Sequence, residues 1–395
     1  MKKIRFGVIG CGLMGKEFAS AAARWCHLLD MPAAPEIVAV SNRSEGPRRW
    51  FSDCFSSVRQ STSDYRELLA NPEVEAVYCA VPHYLHRQVY CDTINAGKHL
   101  FGEKPFGVDL EANDAILDCI RRHSGLIVRC CSQFPYFPAV QAIGRMLTEK
   151  AFGTILEVNA GFLHSSDINP DKPANWKRLV EFNGNYGVMG DLGMHVCHVP
   201  FRAGWMPHNV RAILSNVIPE RPDGKGGRVA CETWDNATLL CEAEGADGNI
   251  FPLTLRTQRI APGESNTWYL EINGLKACAQ FSTRNPNILH LLEYAGGAQD
   301  WRQVCVGYDP VFPSITGKIF EFGFSDAILQ MWAAFVTELA GEPLPDTLLA
   351  QAARPEEAHL SHRLFTAALQ SAESGATSPV GAVLSGACQE TRSPG

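Results

Sequence analysis

Along the first third of the chain, short apolar runs of β character alternate with longer stretches whose apolar residues recur at helical spacing. Ile4-Arg5-Phe6-Gly7-Val8-Ile9 alternates and then reaches Gly10, which reads as a strand closing in a turn. The pattern predicts a helix over 16–25, strands over 36–40 and 75–81, and a helix over 83–96 stopped by Gly97. A strand over 99–101, a helix over 110–122 and a strand over 126–131 follow, and Asp64 opens a short helix with Glu67 in capping-box register. Strands and helices alternating in this way form crossover units, so this half predicts a doubly wound parallel α/β sheet.

The rhythm changes after about Pro138. A helix to Glu149 leads into a strand over 155–162, and beyond Arg202 extended segments take over at 210–217, 237–242, 251–259, 268–272 and 277–281. They predict a second α/β domain with a large, open, mostly antiparallel sheet, one face of which commonly mediates oligomers. Late helices over 326–339 and 355–372 carry apolar residues at helical spacing and are expected to pack back on the first domain. The expected division is 1–135, 136–375, and a loosely ordered tail over 376–395, rich in Ser, Gly, Ala and Pro.

Composition narrows the class. At 395 residues the chain exceeds what one compact core supports, and 46% hydrophobic with 19% charged residues excludes wholesale disorder. A net charge of −7 and a pI near 6.0, without a long Lys/Arg run, give no general attraction to nucleic acid. Fourteen cysteines lie scattered through segments such as Val77-Tyr78-Cys79-Ala80-Val81 with no CxxC pair, so reduced core thiols are expected. No apolar stretch reaches membrane-spanning length, and Met1-Lys2-Lys3 runs straight into the first strand with no room for a signal segment. A cytoplasmic protein with no membrane partner is the expectation.

Gly10-Cys11-Gly12-Leu13-Met14-Gly15 follows a strand and opens a helix, the context in which GxGxxG binds a dinucleotide. Gly10 permits the tight turn, Gly12 lets pyrophosphate approach the backbone, and Gly15 lets helix and strand pack closely; the helix N-terminus offers amide donors. At the end of the second strand, where an acid is expected to bind the adenosine ribose, stand Ser41-Asn42-Arg43-Ser44. Asn42 can bond a ribose hydroxyl, while Arg43 or Ser44 can meet a 2′-phosphate, so NAD and NADP both remain open.

Two further segments carry chemistry. Glu103-Lys104-Pro105 directly follows a short strand, which fixes a lysine near the cofactor edge where its amine can help a substrate hydroxyl lose its proton. In Gly190-Asp191-Leu192-Gly193-Met194-His195-Val196-Cys197-His198, Asp191 and His195 share one face of a helix. They read either as a proton-transfer pair, with the carboxylate orienting the ring, or as a helix cap and a core histidine. Asp191, His195 and His198 also match metal-ligand spacing, which a nearby ammonium opposes; no metal is expected.

Together these segments resemble the Gfo/Idh/MocA family of oxidoreductases. The matching positions are Gly10, Gly12 and Gly15, Glu103-Lys104-Pro105, and Asp191 with His195, while Val81-Pro82-His83-Tyr84-Leu85-His86 resembles the family's loop beside the nicotinamide ribose. The resemblance implies a Rossmann domain followed by an open-sheet α/β domain, NAD(P) bound between them, dimers or tetramers, and carbohydrate or polyol substrates. It places Cys11, Leu13, Met14, Val81, Pro82, His83, His86, Glu103 and Gln133 beside the cofactor and assigns Lys104, Asp191 and His195 to catalysis. The chain departs from the family in three places: Asn42 replaces the usual acid, His198 stands where many members have aspartate, and Gln133-Phe134-Pro135 lacks the arginine often found there.

On the substrate side, Trp176 can stack on a sugar face, Lys177 or Arg178 can hold an anionic substituent, and His164, Asp167, Asn185, Tyr186 and His198 can contact hydroxyls. The leading expectation is NAD(P)-dependent oxidation of a secondary hydroxyl on a sugar, polyol or glycoside: His195 takes the proton, Asp191 orients it, and Lys104 stabilises the developing alkoxide. A glycosidase working by transient oxidation, elimination, hydration and re-reduction is the alternative, and a non-catalytic nucleotide-binding redox sensor the third.

Overall fold

The computed structural model describes residues 1–306, 309–317 and 319–381. Six strands, β1 (Lys2–Ile9), β2 (Ala33–Ser41), β3 (Gln60–Thr62), β4 (Ala76–Cys79), β5 (His99–Gly102) and β6 (Val128–Cys130), form a parallel sheet in the order β3-β2-β1-β4-β5-β6. The order reverses between β1 and β4, so the loops after these two strands diverge and leave a crevice at their carboxyl ends. The glycine-rich turn and the 81–86 loop sit at that crevice.

The second sheet contains β7 (Ile155–Leu163), β8 (Pro207–Ser215), β11 (Asn236–Glu244), β12 (Ile250–Gln258), β13 (Thr267–Gly274), β14 (Ala277–Ser282), β15 (Ile288–Glu293), β16 (Arg302–Cys305) and β17 (Ser378–Pro379); β9 (Glu220–Pro222) and β10 (Arg228–Ala230) form a separate hairpin. Its order is β16-β15-β14-β13-β7-β12-β11-β8-β17, antiparallel except for β7 beside β12. Strict alternation along β11, with Ala237, Leu239, Cys241 and Ala243 buried, marks a sheet with one covered face and one open one. Ile213, Leu240 and Ile250 are exposed, and the register β11 shares with β8 and β12 sets them all on the open face.

The helix Phe324–Ala340 lies on the first sheet. Trp332, 1% exposed, sets its ring 3.8 Å from Phe18, 4.7 Å from Phe101, 5.1 Å from Tyr78 and 5.5 Å from Phe6, an aromatic cluster that makes one continuous core from distant sequence. The helix Pro355–Ser374 packs on β8 and on the helix Leu110–Arg121, where His359 meets Asp114 at 2.9 Å.

Several expectations are corrected. The helix expected from His83 begins as a 3-10 turn, His83–Leu85, before the α-helix His86–Asn95. Asp64 caps its helix through Arg66 N, but Glu67 completes no capping box: its carboxylate takes the Thr62 hydroxyl at 2.5 Å. The helix Glu45–Cys54, strands β3, β15 and β16 and the hairpin were not anticipated; in the helix only Phe51 is buried, too little to raise a helical pattern. The tail does not loosen at 376, because Ser378 pairs with Val210 and β17 joins the sheet edge. The remainder of that expectation, 382–395, lies outside the described residues. Among the described residues no helix is long and apolar enough to cross a membrane.

Candidate active site

The glycine turn is shaped for a diphosphate. Gly10 adopts φ +96°, and a Cβ there would stand 2.4 Å from the Ala80 carbonyl; a Cβ on Gly15 would stand 2.3 Å from the Gly10 carbonyl. Both positions are closed by backbone, whereas a Cβ on Gly12 would meet nothing within 4 Å. Glycine at 12 therefore satisfies no packing need of the protein itself; it leaves open space at the N-terminus of the helix Leu13–Ala23, where a phosphate group fits against the backbone. Leu13 is exposed beside it, and Met14 is tied by its carbonyl to the Tyr78 hydroxyl.

Asn42 turns its amide back on this turn. Its Oδ1 accepts from Cys11 N at 3.3 Å and its Nδ2 donates to Ser44 O at 3.2 Å, while Arg43 and Ser44 are exposed. Arg48, from the unanticipated helix, donates to the Asn42 carbonyl at 2.5 Å and brings a second guanidinium to this strand end.

The loop after β5 is clamped from several sides. Glu103 N donates to Cys79 O at 3.0 Å, the Glu103 carbonyl accepts the Tyr90 hydroxyl at 2.7 Å, and its carboxylate accepts the Tyr78 hydroxyl at 2.7 Å. Burial pushes the Glu103 carboxyl up. Lys104 precedes a cis peptide to Pro105, whose carbonyl faces His362 Nε2 at 2.8 Å. Thus held, Lys104 Nζ donates to the Asp191 carbonyl at 2.5 Å and to Asp191 Oδ1 at 3.0 Å. Burial lowers its pKa to about 8, against an upward pull from Glu103 that exceeds the further lowering by Arg259.

Asp191 lies in a π-helical turn, Met189–Gly193, that runs into the helix Met194–Arg202; such turns are rare and concentrate at functional sites. A Cβ on Gly193 would stand 2.4 Å from the Phe365 ring, so glycine lets this turn seat on the late helix. The carboxylate of Asp191 receives Lys104, Lys177 at 3.1 Å to each oxygen, and Arg259. Burial and the charges of Arg259 and Lys104 push Lys177 well below the usual lysine range, and burial lowers Arg259 to about 10.

The pairing expected between Asp191 and His195 is not formed. His195 Nδ1 faces Ser132 Oγ at 3.3 Å instead, the ring stands edge-on to Phe134 and Phe162, and its backbone carbonyl accepts Trp268 Nε1 at 2.9 Å. Burial first, then the Lys104 ammonium, holds His195 well below the usual histidine range, so the ring is neutral at neutral pH. His164, half-buried with its ring 4.7 Å from Phe162, is lowered to about 4 by burial and then Arg259. His83 is buried edge-on to Trp176 at 4.9 Å, and Lys177 lies 5.6 Å over the Trp176 ring. Gln133 is buried at the start of the 3-10 turn Phe134–Tyr136.

Other expected site residues serve the architecture. His86 is fully buried on Tyr90; Nε2 contacts the Val81 carbonyl at 3.1 Å and Nδ1 accepts Gly107 N–H at 3.4 Å, so it braces the Val81-Pro82 loop rather than facing a cofactor. His198 is buried against Glu357, which also takes Arg202, and Tyr186 spends its hydroxyl on Thr366 Oγ1 at 2.7 Å; both face the late helix Pro355–Ser374, not the cleft. Arg178, 1% exposed, is held 2.5 Å from both Asp167 and Asp235, leaving neither Arg178 nor Asp167 available to a ligand. Asn185 lies on the surface. Reading the sequence missed Arg259 and Ser132, each just beyond a strand end; position after β12 and β6 was the only signal they offered.

Known proteins are consistent with this arrangement. The model for the oxidoreductase family with NAD-binding Rossmann fold, GFO_IDH_MocA, matches residues 4–129. Levoglucosan dehydrogenase of Pseudarthrobacter phenanthrenivorans is 28% identical over 302 residues, 71% of this chain and 74% of the relative. Trans-1,2-dihydrobenzene-1,2-diol dehydrogenase of Sus scrofa is 24% identical over 279 residues, 70% and 73% respectively. In fold, the chain superposes on levoglucosan dehydrogenase in complex with NADH and L-sorbose with a TM-score of 0.84 at 23% identity, covering 97% of this chain and 100% of that one. An oxidoreductase domain protein from Kribbella flavida gives 0.85 at 21% identity over the same shares. The glycine turn and nearly all of the parallel six-stranded sheet lie within the matched residues 4–129, and this part of the chain is similar to the Gfo/Idh/MocA family of NAD-binding oxidoreductases.

Proposed function

We propose that the protein oxidises a secondary hydroxyl of a sugar, polyol or glycoside, with NAD held by Gly10, Gly12, Gly15 and the helix Leu13–Ala23. The reading rests on one observation above the others: a half-buried lysine whose amine is tied to both oxygen types of Asp191 and whose pKa falls to about 8. A neutral amine has two N–H groups, enough for the Asp191 carbonyl and carboxylate, and its lone pair then accepts the substrate hydroxyl proton. A base of pKa near the working pH is the most effective acceptor.

His195 is too weakly basic to compete for that proton, and its role is to orient the substrate oxygen through Nε2 while Ser132 holds Nδ1. Asp191 is thus a positioning residue for Lys104. When bound, the nicotinamide supplies the hydride acceptor. The names of the relatives, levoglucosan dehydrogenase and a dihydrodiol dehydrogenase, support a cyclic polyhydroxylated substrate.

The exposed Ile213, Leu240 and Ile250 on the open sheet face support a homodimer or homotetramer. The test is NADH formation with NAD across a panel of sugars, polyols and glycosides. Stoichiometric NADH from at least one is expected; none from any, or unchanged turnover in Lys104→Met, rejects the reading. Cleavage of a glycoside without net NADH would assign the transient-oxidation chemistry instead.

A further inference from the structure

We infer that the substrate carries an oxyanion substituent, a carboxylate or a phosphate, held by Lys177 beside the Trp176 ring. The inference rests on the proposed sugar oxidation and names its substrate class.

With Lys104 protonated, as it is below about pH 8, Lys104, Lys172, Lys177, Arg178 and Arg259 converge on only three carboxylates, Asp167, Asp191 and Asp235, which leaves two positive charges in excess. Counting Glu103, behind Lys104, as ionised still leaves one. Arg178 and Arg259 are buried and spent on their carboxylates. Lys104 is committed to Asp191, and Lys172 lies at the outer edge on Asp167. Lys177 differs, because it shares the already crowded Asp191 and its side chain keeps 28% of its surface open.

Three cations gathered on one buried carboxylate also repel one another. A neutral sugar does nothing for that imbalance. An anion beside Lys177 supplies the missing charge where water is scarce and a charge-assisted hydrogen bond is strong. Next to it, Trp176, half-buried and edge-on to His83, offers an apolar wall for a sugar ring, so substituent and ring are recognised by adjacent residues.

The experiment titrates the NADH-loaded protein with D-glucuronate, D-glucose 6-phosphate and D-glucose by calorimetry, and follows NADH formation by the NAD-loaded protein with the same three. At least one anionic sugar is expected to bind about 10- to 100-fold more tightly than glucose, the worth of one hydrogen bond to a charged group. Lys177→Met is expected to erase that difference and Lys177→Arg to keep it, with NADH affinity, measured separately, reporting that each variant is folded. Glucose binding as tightly as both anions, no detectable binding by either anion, or full discrimination in a folded Lys177→Met overturns the inference. Anion preference without NADH from any sugar would instead count against the oxidation itself, so the two failures are told apart. Whichever anionic sugar binds distinguishes carboxylate from phosphate.

Discussion

The Lys104 ammonium is held by a single residue twice over, 2.5 Å from the backbone carbonyl of Asp191 and 3.0 Å from its carboxylate. Because both acceptors come from one π-helical turn, the amine cannot drift from it without losing both bonds. Lys104→Met, which keeps the stem and removes the amine, is expected to lower kcat by about 10²- to 10⁴-fold, the usual worth of a positioned acid–base group. Steady-state kinetics beside fluorescence titration of NADH checks this, since cofactor affinity is expected to persist.

The pH profile follows from the same residue. The proton acceptor must be unprotonated, and burial lowers Lys104 to about 8, so kcat/KM for oxidation is expected to rise with pH and level off above about 8. Carbonyl reduction needs the protonated form and is expected to fall over the same range. The Glu103 charge favours the ammonium, so Glu103→Gln removes that support and shifts the oxidation midpoint to lower pH. A midpoint that moves upward would show that Lys104 is not the group being titrated.

Gly12 and Gly15 separate binding from folding. A Cβ at 15 would press on the Gly10 carbonyl, and Gly15→Ala is expected to cost about 1–3 kcal/mol of stability, the usual penalty for overpacking. Gly12→Ala meets open space, so its melting temperature is expected to stay near that of the parent while NADH affinity falls. Thermal melts and NADH titrations of both variants check the contrast. Equal loss of stability in the two would mean that Gly12 also serves packing.

Arg178 and Lys177 are neighbours with opposite duties. Arg178→Met leaves Asp235 buried without its cation and takes one of the cations from Asp167, and is expected to destabilise the fold by about 3–5 kcal/mol, measured by denaturant unfolding. A variant as stable as the parent, with weakened ligand binding alone, would return Arg178 to the substrate.

Local order in the sequence carried much of the architecture. Period-two and helical patterns located nearly all of the long elements, and the glycine turn was legible because its context, strand before and helix after, is contiguous. Glu45–Cys54 escaped because a helix that buries one side chain has almost no pattern, and Arg48 escaped with it. His86, Tyr186 and His198 look functional in sequence, since polar or aromatic residues near motifs do; in the fold each is consumed by a partner, His86 by Gly107, Tyr186 by Thr366 and His198 by Glu357.

What the sequence determined by itself was which chemistry is present: a dinucleotide turn, a lysine at a strand end, and an acid and a histidine on one short segment, all readable because each is local. Which group faces which was decided only in three dimensions. Asp191 serves Lys104 rather than His195 because β12 and the Lys177 loop deliver two more cations to its carboxylate, and Ser132, delivered by β6, takes the ring that remains. Periodicity reports which face of an element is buried, but a charge is settled by its nearest opposite charge, and here those neighbours lie 14 to 87 residues away in the chain.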